Sequence, residues 1–91
     1  MELIAPLTHP CYDGHFPGNP VVPGVLLLEL VVEALGRGPP RLVTSVKFHR
    51  ALAPGESFEL QWKPLESGTS FRCVRGDVLL ADGTLEFGSP P

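Results

Sequence analysis

The segment from Pro23 to Leu35 constrains the fold of this chain most strongly, because it has the length of a helix and is apolar on nearly every face. Proline suits the first turn of a helix, and Gly36, with a Gly-Pro-Pro run two residues later, is a typical stop. A helix that lacks a polar face is buried in the folded protein. We therefore predict one central helix over Pro23–Leu35 with the remaining elements wrapped around it.

Two glutamates interrupt this apolar segment. Glu29 and Glu33 are four positions apart, so they share one stripe of the helix, which must face solvent, a cleft or a second subunit. A carboxylate in an apolar site is costly unless it is paired or protonated, and the protonated form is a good general acid. The alternative is an ordinary solvent-facing stripe. We favour catalysis for Glu29 and the solvent-facing alternative for Glu33.

A Gly/Pro-rich loop, residues 9–24, leads into the helix and contains His15. Histidine titrates near neutrality and can remove or return a proton, although a loop histidine bonded to backbone is the ordinary alternative. The first helical amides, near Gly24 and Val25, have no partner within the helix and can polarise a carbonyl. A base, an acid and an oxyanion site together indicate proton abstraction next to a carbonyl, with loss of a β-hydroxyl.

Three blocks of the sequence resemble a known family. The run from Gly14 to Val25, GHFPGNPVVPGV, with Glu29 fourteen positions after His15, is similar to the signature of the β-hydroxyacyl-ACP dehydratases of hot-dog fold. Lys47–Glu56 is similar to that family's K-F-x-R-x-x-x-P-G-D/E strand and turn. A weaker likeness lies at residues 81–85. The short stretch before the loop resembles the compact dehydratase-like proteins of aryl-polyene and related lipid gene clusters.

The resemblance implies an α+β hot-dog fold, in which an antiparallel β-sheet wraps around one central α-helix, as a single domain over residues 1–91. It implies a hydro-lyase that converts (3R)-hydroxyacyl thioesters, carried on acyl carrier protein, to trans-2-enoyl thioesters in fatty-acid or related lipid or polyene biosynthesis. It further implies a homodimer or higher homo-oligomer and no cofactor.

The family's roles transfer to matching positions of this chain. His15 would act on the α-proton, and Glu29 of the opposite protomer on the hydroxyl. The backbone of Gly24 and Val25 would receive the thioester carbonyl. The candidates for an acyl tunnel between the subunits are Phe16, Leu28 and Val31, with Leu27 beside them.

Two departures from the family pattern bear on substrate preference and activity rather than on fold. Glu33 stands where the fatty-acid enzymes usually have glutamine. The aromatic residue expected directly before Gly14 is displaced, since Tyr12 is followed by Asp13.

Composition excludes several other classes of protein. A net charge of −3 does not indicate nucleic-acid binding, which needs positive charge. The longest apolar stretch is too interrupted to span a membrane. Two cysteines without CxxC spacing do not make a disulfide framework, and no signal peptide is recognised, so we expect a cytoplasmic protein. His9, Cys11 and His15 lack a fourth ligand at metal-site spacing, so we expect no metal.

The basic residues are partly clustered, and an acyl carrier protein is acidic. A docking patch and an ordinary solvated surface are both compatible with the set formed by Arg37, Arg41, Lys47 and Arg50.

The rest of the chain reads as strands and turns. Alternation and turn residues predict strands over residues 2–8, 41–50, 57–63, 69–75 and 78–87, followed by a frayed tail. Gly83 is either a β-bulge, which we favour, or part of an Asp82-Gly83 turn. We expect Trp62 to pack against the helix, and His49 to lie at the surface or in packing.

Two other functions stay open. A hot-dog thioesterase would use a helix carboxylate and the same amides to direct water at the carbonyl, and would not need His15. A non-catalytic acyl-binding subunit of a biosynthetic complex would need neither His15 nor Glu29.

Overall fold

A computed structural model describes residues 1–12 and 21–87. Within these ranges the elements are, in chain order, β1 (Glu2–Ile4), a 3-10 turn (Pro10–Tyr12), α1 (Gly24–Leu35), β2 (Leu42–Phe48), β3 (Ser57–Leu65), β4 (Gly68–Arg75) and β5 (Val78–Glu86). The loop residues His15 and Phe16, and the tail predicted to fray, lie outside the described residues.

The strands form one five-stranded antiparallel sheet in the order β1-β3-β4-β5-β2. Helix α1 connects the two edge strands, β1 and β2, and packs on one face of the sheet. Alternate residues of the central strands point to this face, including Phe71, Cys73 and Leu85. The predicted architecture of one helix against an antiparallel sheet is confirmed.

The helix ends lie where the sequence placed them, to within one residue. Pro23 is the N-cap, with extended backbone, and α1 begins at Gly24. Gly36 ends the helix in the left-handed conformation, at φ 68°, and its amide donates to the carbonyl of Glu33. Glycine adopts this conformation without steric cost, which explains why the helix stops there.

The core lies between α1 and the sheet. Fully or nearly fully buried side chains come from the inner face of the helix, the central strands and the loop after β2: Leu26, Leu27, Val31, Leu52, Phe58, Leu60, Phe71, Cys73, Leu80, Ala81 and Leu85. Burial of each large aliphatic side chain contributes about 1.5–3 kcal/mol relative to exposure. These residues form the core that a single copy of the chain buries on its own.

The far end of β3 extends beyond this core, and the prediction for Trp62 was wrong. Trp62 is 48% exposed and Leu65 is 43% exposed. The strand also continues through Pro64, past its predicted end at residue 63. The backbone hydrogen bonds from β1 and Met1 to β3 end at Leu60, so no described strand pairs with the outer edge of β3 at Pro64, a position that tolerates a residue without an amide proton.

A β-bulge lies opposite Gly83, on the neighbouring strand. Thr44 pairs with Thr84 and Lys47 with Asp82, so Ser45 and Val46 of β2 together face Gly83. A Cβ at Gly83 would lie 2.6 Å from Cγ2 of Val46. The predicted irregularity exists, but the extra residue belongs to β2, and the Asp82-Gly83 turn is wrong because Gly83 is in the middle of β5.

Candidate active site

The start of α1 carries two amides, those of Gly24 and Val25, that are free of acceptors among the described residues. The amides of Leu26 and Leu27 donate to the carbonyl of Pro23, at 3.0 and 3.1 Å. Among the described residues no acceptor reaches the amides of Gly24 and Val25, and Pro23 has no side chain that could cap them. These amides stand at the positive end of the helix dipole, which favours a carbonyl oxygen that gains negative charge.

Two contacts hold the helix start against the end of β2. The amide of Val22 donates to the carbonyl of Leu52 at 2.7 Å. The ring of Phe48 lies so close to Gly24 that a Cβ there would be 2.9 Å from Cζ. Only glycine allows this approach, so the Phe48 ring lies directly beside the start of the helix, where the free amides are.

The role of Phe48 at this site was missed by the sequence prediction. Its ring is 52% exposed, so one side contacts the helix start while the other is open. The available signal was the block Lys47–Glu56, which resembles the dehydratase family but was interpreted only as a strand and a turn.

Further along α1, an open groove of about 320 Å³ lies on the side of the helix that carries the glutamates. It is lined by Val25, Leu28, Glu29, Val32, Glu33, Pro39 and Pro40. The two carboxylates are exposed and share one stripe, as predicted. Every other lining side chain is apolar, so the groove can hold a hydrocarbon chain beside two acids.

The helix face of the proposed acyl tunnel was only partly predicted. Leu28 lines the groove, but Val31 is fully buried and Leu27 is 4% exposed, both in the core against the sheet. Val25 and Val32 take their place on the groove wall. Because the helix is apolar on all sides, its sequence does not reveal which apolar residues face the sheet.

The carboxylates of the groove have no protein partner in the described part of the chain. Within residues 1–12 and 21–87 no hydrogen bond or ion pair forms to the side chain of Glu29 or Glu33. A carboxylate without a partner in a mostly apolar groove is available to a substrate hydroxyl.

The other half of the predicted pair lies outside the described residues. His15 and Phe16 fall between the two described ranges, so the pairing of His15 with Glu29 and the place of Phe16 in the tunnel stay predictions.

The four basic residues do not form one patch. All four are exposed. Arg41 lies just before β2 and Lys47 lies near its end, about 20 Å away, and Arg50 follows the end of the strand. The guanidinium of Arg37 lies 4.8 Å from the centre of the Phe87 ring. Lys47 and Arg50 are at the end of β2 that reaches the helix start.

Two further polar features lie away from the groove. His49 is exposed, as the sequence allowed, and its Nε2 lies 2.9 Å from Oδ2 of Asp82. Burial raises the pKa of the Cys73 thiol to about 12. Cys73 is therefore protonated near neutrality and is unsuited to nucleophilic catalysis.

Comparison with solved structures identifies the fold. The chain is similar to a protein of the dehydratase heterocomplex ApeI:P from Xenorhabdus doucetiae, with a TM-score of 0.71 and 23% identity over 93% of this chain and 81% of the other. The helix and sheet thus form a hot-dog fold, as predicted.

Residues 1–84 match the model of the ApeI-like family, described as ApeI dehydratase. The chain therefore belongs to the ApeI-like dehydratase family. Curated relatives include the 3-hydroxyacyl-[acyl-carrier-protein] dehydratases FabZ of Haemophilus influenzae (strain 86-028NP), 30% identical, and of Symbiobacterium thermophilum, 31% identical. The aligned regions cover 79% and 89% of this chain, and 62% and 69% of those proteins.

The chain thus spans less than two thirds of the length of the Haemophilus relative. In the part of the chain that the structure describes, no helix is both long enough and apolar enough to cross a membrane.

Proposed function

We propose that this protein is a dehydratase that removes water from (3R)-hydroxyacyl thioesters to give trans-2-enoyl thioesters, acting as a single domain. The observations that carry the proposal lie on α1: among the described residues no acceptor reaches the amides of Gly24 and Val25, and Glu29 has no partner and lines a mostly apolar groove. The names of the FabZ relatives support a 3-hydroxyacyl group carried on acyl carrier protein.

In this proposal the amides of Gly24 and Val25 donate to the thioester carbonyl. His15 takes the α-proton, and the electron pair left on the α-carbon forms the new double bond as the bond from C3 to oxygen breaks. Glu29, in its protonated form, gives its proton to the departing hydroxyl, which leaves as water. Positioned acids and bases of this kind contribute about 10²–10⁴-fold each.

We further propose that a second chain completes the site, with His15 from one protomer and Glu29 from the other. Val25 is 62% exposed and extends the apolar surface of the groove, so a single copy leaves this face uncovered. Small domains commonly gain stability by oligomerisation. We favour a homodimer or higher homo-oligomer. The similar solved structure is a heterocomplex, which makes a related chain of different sequence the alternative partner.

The carrier protein would approach at the end of β2. Lys47 and Arg50 are exposed there, and Phe48 of the same strand contacts the helix start. An acidic carrier held at this end would deliver its thioester toward the free amides of Gly24 and Val25. Arg41, at the far end of the strand, is expected to contribute less.

A thioesterase is the second candidate, because the free amides and Glu29 are the parts that such an enzyme needs. Water attack on the carbonyl would then depend on Glu29 and would not depend on His15. The GHFPG loop segment favours the dehydratase.

The test is hydration of a trans-2-enoyl thioester, followed by the loss of its ultraviolet absorbance. The wild type is compared with His15→Ala and Glu29→Gln, and with Glu66→Gln as a control in the exposed β3–β4 turn. Loss of activity in the first two variants alone supports the dehydratase. Thioester hydrolysis that survives His15→Ala supports the thioesterase, and a folded wild type without either activity overturns both.

A further inference from the structure

We propose that the ring of Phe48 covers the bound thioester and keeps water away from its carbonyl carbon, so that the substrate is dehydrated or hydrated rather than hydrolysed. This role rests on the proposed function, because it takes the thioester carbonyl to bind at the amides of Gly24 and Val25. Phe48 then decides which reaction the bound thioester undergoes, whichever protomer supplies the acid.

A regular β2 would point Phe48 away from the helix. Side chains alternate along a strand, so residues five positions apart normally point to opposite faces of a sheet. Val43 pairs with Leu85. Phe48 pairs with Ala81. Both partners are buried on the helix side, and directly opposed residues share a face, so Val43 and Phe48 point to the same side.

The β-bulge in β2 produces this change of face. Ser45 and Val46 together lie opposite Gly83, and the extra residue reverses the alternation for the residues that follow. Ser45 has a φ of 54°, the one positive φ at a non-glycine residue in the described part of the chain. This conformation costs free energy at a residue that has a side chain. The fold therefore accepts a strained residue in the strand segment that turns Phe48 toward the helix.

The ring of Phe48 ends directly beside the amides that the proposed function uses. Its Cζ, Cε2 and Cε1 atoms would lie 2.9, 3.0 and 3.1 Å from a Cβ on Gly24, and they are the three atoms nearest to that point. The residue is nevertheless 52% exposed. About half of its surface is therefore left for a molecule that binds at the helix start.

The consequence concerns the competition between two reactions of a bound thioester. In hydrolysis the oxygen of water bonds to the carbonyl carbon, the bond from carbon to sulfur breaks, and sulfur leaves as the thiol with a proton from that water. Amides that stabilise negative charge on the carbonyl oxygen favour this attack as well as loss of the α-proton.

An apolar ring beside the carbonyl separates the two reactions. The ring offers no hydrogen bond that could hold a water molecule for attack, and exclusion of water from a site prevents side reactions of this kind. Dehydration is not blocked, because its water leaves from C3 and not from the carbonyl carbon. Phe48 is thus placed to suppress hydrolysis while the amides remain available to the thioester.

The experiment measures two products from one probe, the pantetheine thioester of trans-2-hexenoic acid. Hydration gives 3-hydroxyhexanoyl pantetheine, which chromatography quantifies. Hydrolysis gives free pantetheine, which a chromogenic thiol reagent quantifies. The ratio of hydrolysis to hydration is compared in the wild type, Phe48→Ala and Phe48→Leu. Trp62→Ala is the matched control, because Trp62 is an aromatic residue of similar exposure, 48%, near the far end of β3.

We expect Phe48→Ala to raise the ratio of hydrolysis to hydration by at least about tenfold, because water then reaches the carbonyl carbon. Phe48→Leu keeps an apolar side chain and should raise the ratio less, and Trp62→Ala should leave it at the wild-type value. Both rates come from the same preparation, so a loss of folded or assembled protein lowers them equally and leaves the ratio unchanged.

The outcomes separate failure of this role from failure of the proposed function. If Phe48→Ala changes hydration and hydrolysis by the same factor, or if Trp62→Ala raises the ratio as much, the role of Phe48 is overturned while the dehydratase stands. If circular dichroism shows that Phe48→Ala does not fold, Phe48→Leu decides, and an unchanged ratio in that variant overturns the role. If the wild type does not hydrate the probe, the proposed function falls and takes the role of Phe48 with it.

Discussion

The two faces of α1 differ sharply, although both are apolar in sequence. The inner face places Leu26, Leu27 and Val31 against the sheet, each no more than 4% exposed. The outer stripe carries Glu29 and leaves Val25 62% exposed. The inner face completes the fold, whereas the outer stripe exposes apolar surface and an acid that has no partner among the described residues. We therefore infer that the inner face provides stability and the outer stripe provides the chemistry. The predictions that follow are ordered by the size of the expected effect.

Glu29→Gln should lower the rate of enoyl thioester hydration by at least about 100-fold, the usual contribution of a positioned acid. The side chain is exposed and has no partner among the described residues, so the free energy of unfolding should change by less than about 0.5 kcal/mol. Steady-state kinetics and urea denaturation of the same preparations measure both quantities. A stability loss of the same size as the activity loss would contradict the separation of the two faces.

Val31→Ala should produce the opposite pattern. Val31 is fully buried, and removal of its two methyl groups leaves a cavity, so unfolding should become easier by about 2–3 kcal/mol. Activity per folded molecule should be nearly unchanged, since Val31 does not line the groove. Urea denaturation gives the first quantity and kinetics at low temperature the second. A large rise in KM would return Val31 to the acyl tunnel.

Gly24→Ala tests whether the close contact of Phe48 with the helix start positions the amides there. The new Cβ would lie 2.9 Å from Cζ of Phe48, so the ring or the helix start must shift. We expect kcat/KM to fall by about tenfold, because displaced amides lose part of their contact with the carbonyl oxygen. The double variant Gly24→Ala/Phe48→Leu relieves the contact and should recover part of the activity. Equal activity of wild type and Gly24→Ala would show that the helix start is not part of the site.

Val25→Asp should have the smallest effect on unfolding of the single chain, within about 0.5 kcal/mol, because the side chain is mostly exposed. It should nevertheless weaken self-association, since it puts a charge on the uncovered apolar stripe. Val78→Asp, at an exposed position of β5, is the matched control. Sedimentation over a concentration series compares the variants, and equal weakening by both would place the subunit contact elsewhere.

The sequence predicted what local patterns determine. The helix limits followed from Pro23 and Gly36, and the strands over residues 57–63 and 69–75 followed from alternation and turn residues. The exposure of Trp62 did not follow, because alternation gives the face of a strand and not how far the opposing helix extends. The bulge at Ser45 depends on how β2 pairs with β5, which a single strand sequence does not contain.

The site was predicted in the same uneven way. The stripe of Glu29 and Glu33 stood out because acids are conspicuous in an apolar helix. Val31 lies in the core and not on the groove of the single chain. The sequence does not show this, because neighbouring apolar residues give no contrast from which to tell the inner face from the outer one. The contact of Phe48 with Gly24 joins segments far apart in sequence, and only the family resemblance pointed to that block.

Subunit mixing tests the central claim most directly. The His15→Ala and Glu29→Gln proteins are each expected to be inactive, and are unfolded together and refolded as a mixture. If each site takes His15 from one chain and Glu29 from the other, each mixed dimer has one intact site, and about a quarter of wild-type activity should return, as expected for random pairing across a two-fold axis. Mixed dimers detected by native mass spectrometry without any return of activity would contradict the shared site.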